Sequence, residues 1–218
     1  MRPIIVFLLS QSILLPLIAG LIRFRRIGWS YQPFLGLLLF GTIIEVITYI
    51  QIQNRHNMSN AILSNIFALA EWCLIAWQFH VWGFLKQKKT LFYALLIISS
   101  LPWVIENIFL KKINDFSPYF RFYYYFLIVL LSVNKINFMI THDNRNLFRN
   151  PRFLICIGFI IYFIYKILYE WAYQVSVFGT SEIMSTIITG MAYINVLTNI
   201  IYAIAFLLIP APRKFTLE

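Results

Sequence analysis

The chain has 218 residues, of which 61% are hydrophobic and only 12% charged, and its mean hydropathy is +0.76. Soluble domains carry about a quarter charged residues, and one of this length could not hide so much apolar surface from water. Lipid is therefore the expected solvent, and the net charge of +10 comes with no basic stripe or RNA-binding motif, which removes nucleic acid as a partner.

Seven apolar windows follow one another, at about 3–22, 33–52, 60–84, 90–110, 119–140, 153–174 and 183–209. A helix of about 20 residues matches a hydrocarbon core of about 30 Å. Helices are the spanning form that satisfies every backbone group inside such a run. The connections are short, so no soluble domain is attached. The predicted fold class is an all-α integral membrane protein, a single domain over 1–218 built as a seven-helix bundle.

The first window opens with Arg2 and an apolar run, as a signal peptide does. It lacks an A-x-A-like cleavage site, is long for such a segment, and runs into Arg23-Phe24-Arg25-Arg26, so it reads as helix 1. Pro16 is expected to kink it. Helix 2 starts at Pro33 and sets Thr42, Glu45 and Tyr49 at i, i+3, i+7. Helix 3 lines up Ala61, Ser64, Ala68 and Glu71, small residues that let another helix approach. Helix 4 contains Pro102 and carries Glu106 one turn from Lys111 and Lys112. Helix 5 follows Pro118 and carries Asn134, Lys135, Asn137 and Thr141 near its far end, before the polar turn Asp143-Asn144-Arg145-Asn146. Helix 6 follows Pro151 and presents Tyr162, Lys166, Tyr169, Glu170 and Tyr173 as a stripe. Helix 7 offers Asn195, Thr198, Asn199 and Tyr202. Trp29, Tyr31, Trp82, Tyr119, Trp171 and Tyr173, near segment ends, suit interfacial belts. Cys73 and Cys156 lie inside helices without C-x-x-C partners and read as small buried hydrophobes.

Orientation follows from the basic residues. With the N-terminus outside, the cytoplasmic side holds Arg23, Arg25, Arg26, Lys86, Lys88, Lys89, Arg145, Arg149, Arg152, Arg213 and Lys214. The outer side holds Arg2, Arg55, Lys111, Lys112 and Arg121. Eleven against five predicts an outer N-terminus and a cytoplasmic C-terminus, in the multi-pass arrangement of a bacterial cytoplasmic membrane. The basic face should also attract anionic head groups.

This layout suits two three-helix repeats joined by a linker helix. Ser64-Asn65-Ile66 in helix 3 and Thr198-Asn199-Ile200 in helix 7 fall at matching places, and helices 2 and 6 carry Glu45 and Glu170 in their outer halves. In helix count, size and orientation the chain is similar to the SWEET and PQ-loop transporters. The resemblance is one of layout: Gln32-Pro33 reverses the Pro-Gln order of that family, and helix 5 has no internal proline.

Besides Arg121 and His80 near window ends, six acidic or basic residues lie inside the apolar windows: Glu45, Glu71, Glu106, Lys135, Lys166 and Glu170. A charge in lipid costs at least a few kcal/mol, so such residues face a protein interior or a watery cavity and mark function. Lys135 is close enough to the cytoplasmic end to snorkel. Glu106 fits the outer interface, and Lys166 and Glu170 can neutralise each other at i, i+4. Glu45 and Glu71 are left without a local partner. His56, His80 and His142 are too scattered for a metal set, and no G-x-S-x-G, H-E-x-x-H or phosphate loop occurs. Helix 7 has no lysine for a retinal Schiff base. No catalytic set and no cofactor are therefore expected.

The reading is a membrane protein that binds or transports a small polar or cationic solute, with or without proton coupling, through an outward-facing acidic pocket. Glu45, Glu71 and Glu170 would supply charge, Lys166 would tune it, Asn195 and Asn199 would orient the solute, and Tyr49 and Tyr169 belong to the same stripes. The alternative is a sensor, effector or assembly subunit whose polar residues join helices, within the chain or in a homo-oligomer or with a membrane partner.

Overall fold

A computed structural model describes residues 9, 11–53, 60–110, 113–115, 117–142, 146–176 and 181–210. Among these no strand occurs. A 3-10 turn, Gln11–Ile13, leads into α1 (Leu14–Ile22). Then come α2 (Gln32–Gln53), α3 (Asn60–Val81), α4 (Lys89–Val104), α5 (Pro118–His142), α6 (Pro151–Ser176) and α7 (Ser181–Leu207). Six segments are long and apolar enough to cross a membrane: Trp29–Gln51, Ala61–Val81, Lys89–Phe109, Pro118–His142, Pro151–Gln174 and Met184–Leu207. The apolar segment Gln11–Ile22 is shorter, and most of the window before it lies outside the described residues, as do Lys111, Lys112 and the turn at 143–145.

Proline sets several boundaries. Pro118 and Pro151 open α5 and α6, where a missing N–H breaks no helical bond. Pro16, expected to kink helix 1, instead falls in the first turn of α1, just past the 3-10 turn, so it costs no hydrogen bond there. Pro102 lies inside α4, and three residues beyond it the ladder passes into a π-helical turn, Ile105–Phe109.

The helices close into a ring in which α3 meets α5, α5 meets α6, α6 meets α7, α7 meets α1, and α1 and α2 lead back to α3. α4 stands outside it, against α3 and α5. On one side of the ring the interior is aromatic: Phe34 of α2 lies 5.5 Å from Phe159 of α6, and 5.0 Å and 5.5 Å from Tyr202 and Phe206 of α7. Gly158 makes room there, because a Cβ at that position would collide with the Tyr202 ring.

One end of the ring is tied by backbone carbonyls. Gln78 of α3 accepts from Phe34 N at 2.9 Å and donates to Ser30 O at 2.6 Å, and the Trp82 indole donates to the same carbonyl at 2.9 Å. Lys135 donates to Trp82 O at 2.8 Å, just past the end of α3, where a cation complements the helix dipole. Its ammonium, which the sequence predicts to snorkel toward the interface, bonds a protein carbonyl at this end of the ring.

Candidate functional site

At the opposite end, and through the middle of the ring, α3, α5 and α6 converge polar side chains. α3 offers Ser64, Asn65, Ala68 and Glu71 on one face, and the small residues allow α5 to approach. α5 answers with Arg121, Tyr124 and Tyr125, and α6 with Tyr162, Lys166, Tyr169 and Glu170.

Two ion pairs join these helices. Lys166 donates to Glu71 Oε2 at 3.3 Å, and the Tyr124 hydroxyl donates to the same oxygen at 2.6 Å. The Lys166 ammonium also lies 4.8 Å and 5.1 Å from the ring centres of Tyr162 and Tyr125, at cation–π range. Arg121 donates through Nη1 to Glu170 Oε1 at 3.0 Å, and through Nη2 to Ser64 Oγ at 2.7 Å and Asn65 Oδ1 at 3.2 Å. Glu71, Arg121 and Glu170 are 4%, 8% and 3% exposed, so these are buried charges that need their partners.

Asn65 extends the network to the connection between α4 and α5. Its Nδ2 donates to Ile113 O at 3.2 Å and Asp115 O at 2.7 Å, while its own carbonyl accepts the Trp103 indole at 2.8 Å. Ser117 Oγ donates to Asn107 Oδ1 at 2.7 Å. Glu106, in the π-helical turn, accepts from Phe120 N at 2.9 Å and Tyr119 N at 3.4 Å. A carboxylate thus caps the first turn of α5, the favourable end of the dipole for an anion.

One sequence expectation changes, and two further acids gain their partners. Lys166 and Glu170 do not neutralise each other: each reaches a different helix, because an ion held in a low-dielectric core gains most from the partner that also replaces its lost water. Glu71, which has no partner nearby in the sequence, finds Lys166 on α6 and Tyr124 on α5. Glu106, in the last turns of its segment, is buried and held by backbone N–H groups.

Two cavities flank Glu71. One, of about 200 Å³, is lined by Ser64, Arg121, Tyr124, Tyr125, Lys166, Tyr169 and Glu170, among others. The other, of about 120 Å³, is lined by Glu45, Tyr162, Asn195, Thr198, Asn199 and Tyr202, among others. Phe67 and Glu71, one helical turn apart on α3, line both and form their common wall. In the smaller cavity Glu45 Oε2 is buried without a hydrogen-bond partner. Asn199 donates there to Ser12 Oγ at 2.8 Å and Asn195 Oδ1 at 3.3 Å.

Of the residues selected from sequence, Glu45, Asn195 and Asn199 thus share one cavity, Lys166, Tyr169 and Glu170 the other, and Glu71 both. Tyr49 lines neither and is exposed on α2. The pocket was expected to be acidic, but in the larger cavity Glu71 and Glu170 are matched by Lys166 and Arg121. Sequence reasoning missed Arg121, placed among the outer-side loop residues because it lies three residues past Pro118. The signal was the spacing Arg121, Tyr124, Ile128, Ser132, a helical stripe that carries α5 inward.

Among the described residues the fold is helical, with six helices fit to cross a membrane and a paired set of charges between three of them. No family model matches the chain, and no curated protein or solved structure matches it. Among the described residues no group of three or more His, Cys, Asp or Glu could hold a metal ion.

Proposed function

We propose that the chain is a seven-helix membrane protein, outside at its N-terminus and cytoplasmic at its C-terminus, that binds a small polar solute at the paired cavities around Glu71. The orientation rests on the division of basic residues, eleven to four once the buried Arg121 is set aside. The binding role rests on one observation: Glu71 stands in the wall shared by two polar cavities, within reach of a cation, a phenol and the space on either side.

Such a wall suits solute capture and passage. A solute that bonds Glu71 competes with Lys166 and Tyr124, and Glu71 then has a second cavity to face. Glu45, across the smaller cavity, is the carboxylate available to a proton or to the cationic end of a solute. An oligomer held by these charges has less support, because Glu71, Glu170 and Arg121 find their partners within one chain; the same pairs favour, as the second reading, a sensor or effector whose polar residues join its own helices.

The test is a thermal-shift screen of small polar solutes on the detergent-purified protein, run from mildly acidic to mildly alkaline pH and repeated in Glu71→Gln. At least one solute class should raise the melting temperature of the parent and not of the variant. Absence of stabilisation throughout would sink the reading.

A further inference from the structure

We infer that the larger cavity takes a compact zwitterion, a molecule carrying one ammonium and one carboxylate and adding no net charge to the site. The inference rests on the solute-binding reading above and names the class of solute.

Four ionised groups line this cavity, and they alternate in sign between helices. Glu71 on α3 faces Lys166 on α6 at 3.3 Å, and Arg121 on α5 faces Glu170 on α6 at 3.0 Å. The wall is therefore neutral as a whole. A net cation entering it would meet two anions that already have cations, and a net anion would meet two cations that already have anions. Either one brings an uncompensated charge into a low-dielectric interior, where an unpaired ion costs several kcal/mol. A zwitterion escapes that cost by exchanging partners: its carboxylate accepts from Arg121 or Lys166 while its ammonium donates to Glu170 or Glu71. The number of ion pairs rises and the net charge stays the same.

The rest of the lining fits both ends of such a molecule. The ring of Tyr125 already holds the Lys166 ammonium at 5.1 Å, and an aromatic face serves a ligand ammonium equally well. Arg121 presents a planar fork of N–H donors, the geometry that grips a carboxylate. Phe67, Ala68 and Met191 supply an apolar side for a short carbon chain. The volume of about 200 Å³ limits size. Scaled from an engineered cavity of about 150 Å³ that holds benzene, it admits about eight non-hydrogen atoms.

The experiment measures melting temperature and calorimetric binding on the full chain in detergent. The probes are glycine, alanine and 4-aminobutyrate, with methylammonium, acetate and acetamide as single-function controls. A zwitterion should bind and stabilise at a concentration where the controls, alone or as methylammonium plus acetate, do not. The double variant Glu71→Gln/Lys166→Met, neutral like the parent, should fold and lose binding at least tenfold. Stabilisation by methylammonium or acetate alone overturns the zwitterion while leaving a solute site in place. Stabilisation by acetamide equal to that by the zwitterions does the same, in favour of a neutral dipole. Failure of every probe to bind overturns the zwitterion here. Failure of the broader solute screen as well overturns the site itself. Undiminished zwitterion binding in the folded double variant also overturns the assignment, by moving the ligand elsewhere.

Discussion

The Lys166 ammonium on α6 and the Glu71 carboxylate on α3 stand 3.3 Å apart although 95 positions separate them in the chain. Each is the main compensation for the other's lost hydration. Glu71→Gln and Lys166→Met should therefore each destabilise by about 3–5 kcal/mol, as breaking a buried pair does. The double variant should lose less than either single, since no bare charge remains. Unfolding in one detergent, analysed as a double-mutant cycle, reads this out; additive losses would show the pair to be uncoupled.

Arg121 joins three helices at once through Glu170, Ser64 and Asn65. A lysine keeps the charge but cannot donate along two directions from a rigid fork. Arg121→Lys should cost about 1.5–3 kcal/mol, the range for hydrogen bonds to charged groups. The same unfolding measurement checks it, and a parent-like variant would mean that charge alone suffices.

How much of this was open to sequence reasoning depends on range. Hydropathy windows at 33–52 and 119–140 anticipate α2 and α5 to within two residues, because length and apolarity are local properties. The stripes on α3, α6 and α7 were likewise legible, since helical spacing alone puts Ser64 with Glu71 and Lys166 with Glu170. Partners were not. Whether Glu170 bonds Lys166 one turn away or Arg121 on another helix depends on how α5 and α6 pack, and no local pattern encodes that. Glu106 shows the same limit: its role as a cap depends on the chain turning back to bring Phe120 N to its carboxylate.

Gly158 and Gly36 make a matched pair. A methyl group on Gly158 would strike the Tyr202 ring, whereas nothing stands within 4 Å of one on Gly36. Gly158→Ala should destabilise by about 1–3 kcal/mol through overpacking between α6 and α7. Gly36→Ala should be neutral or stabilising by up to about 1 kcal/mol. Equal melting temperatures for the two variants would contradict the close approach.

Glu106 holds the first turn of α5. Glu106→Ala should cost about 1–2 kcal/mol, as loss of a helix cap does. Hydrogen exchange localises the effect: the amides of Tyr119 and Phe120 should lose protection while those in the middle of α5 keep it. Uniform protection across α5 would argue against capping.

Glu45 offers the reverse outcome. Its Oε2 has no hydrogen bond to lose, so Glu45→Gln should leave stability unchanged or raise it, within about 1 kcal/mol. A solute that uses the smaller cavity should nonetheless bind more weakly. Calorimetry and unfolding on the same preparation separate the two, and a large loss of stability would assign Glu45 to the scaffold.

The pairing of charges bears on how the chain is made. A nascent chain is threaded from its N-terminal end, so Glu71 and Arg121 arrive before either of their ion-pair partners. Ser64 and Asn65 are already there to receive Arg121, and Tyr124 arrives with it to receive Glu71. At that stage these groups contribute one anion and one cation. α6 then delivers Lys166 and Glu170 together, again one of each sign. Glu71 waits alone from α3 until α5 brings Arg121; from then on these four residues sum to zero, and a pause in translation between α5 and α6 leaves them with no net charge.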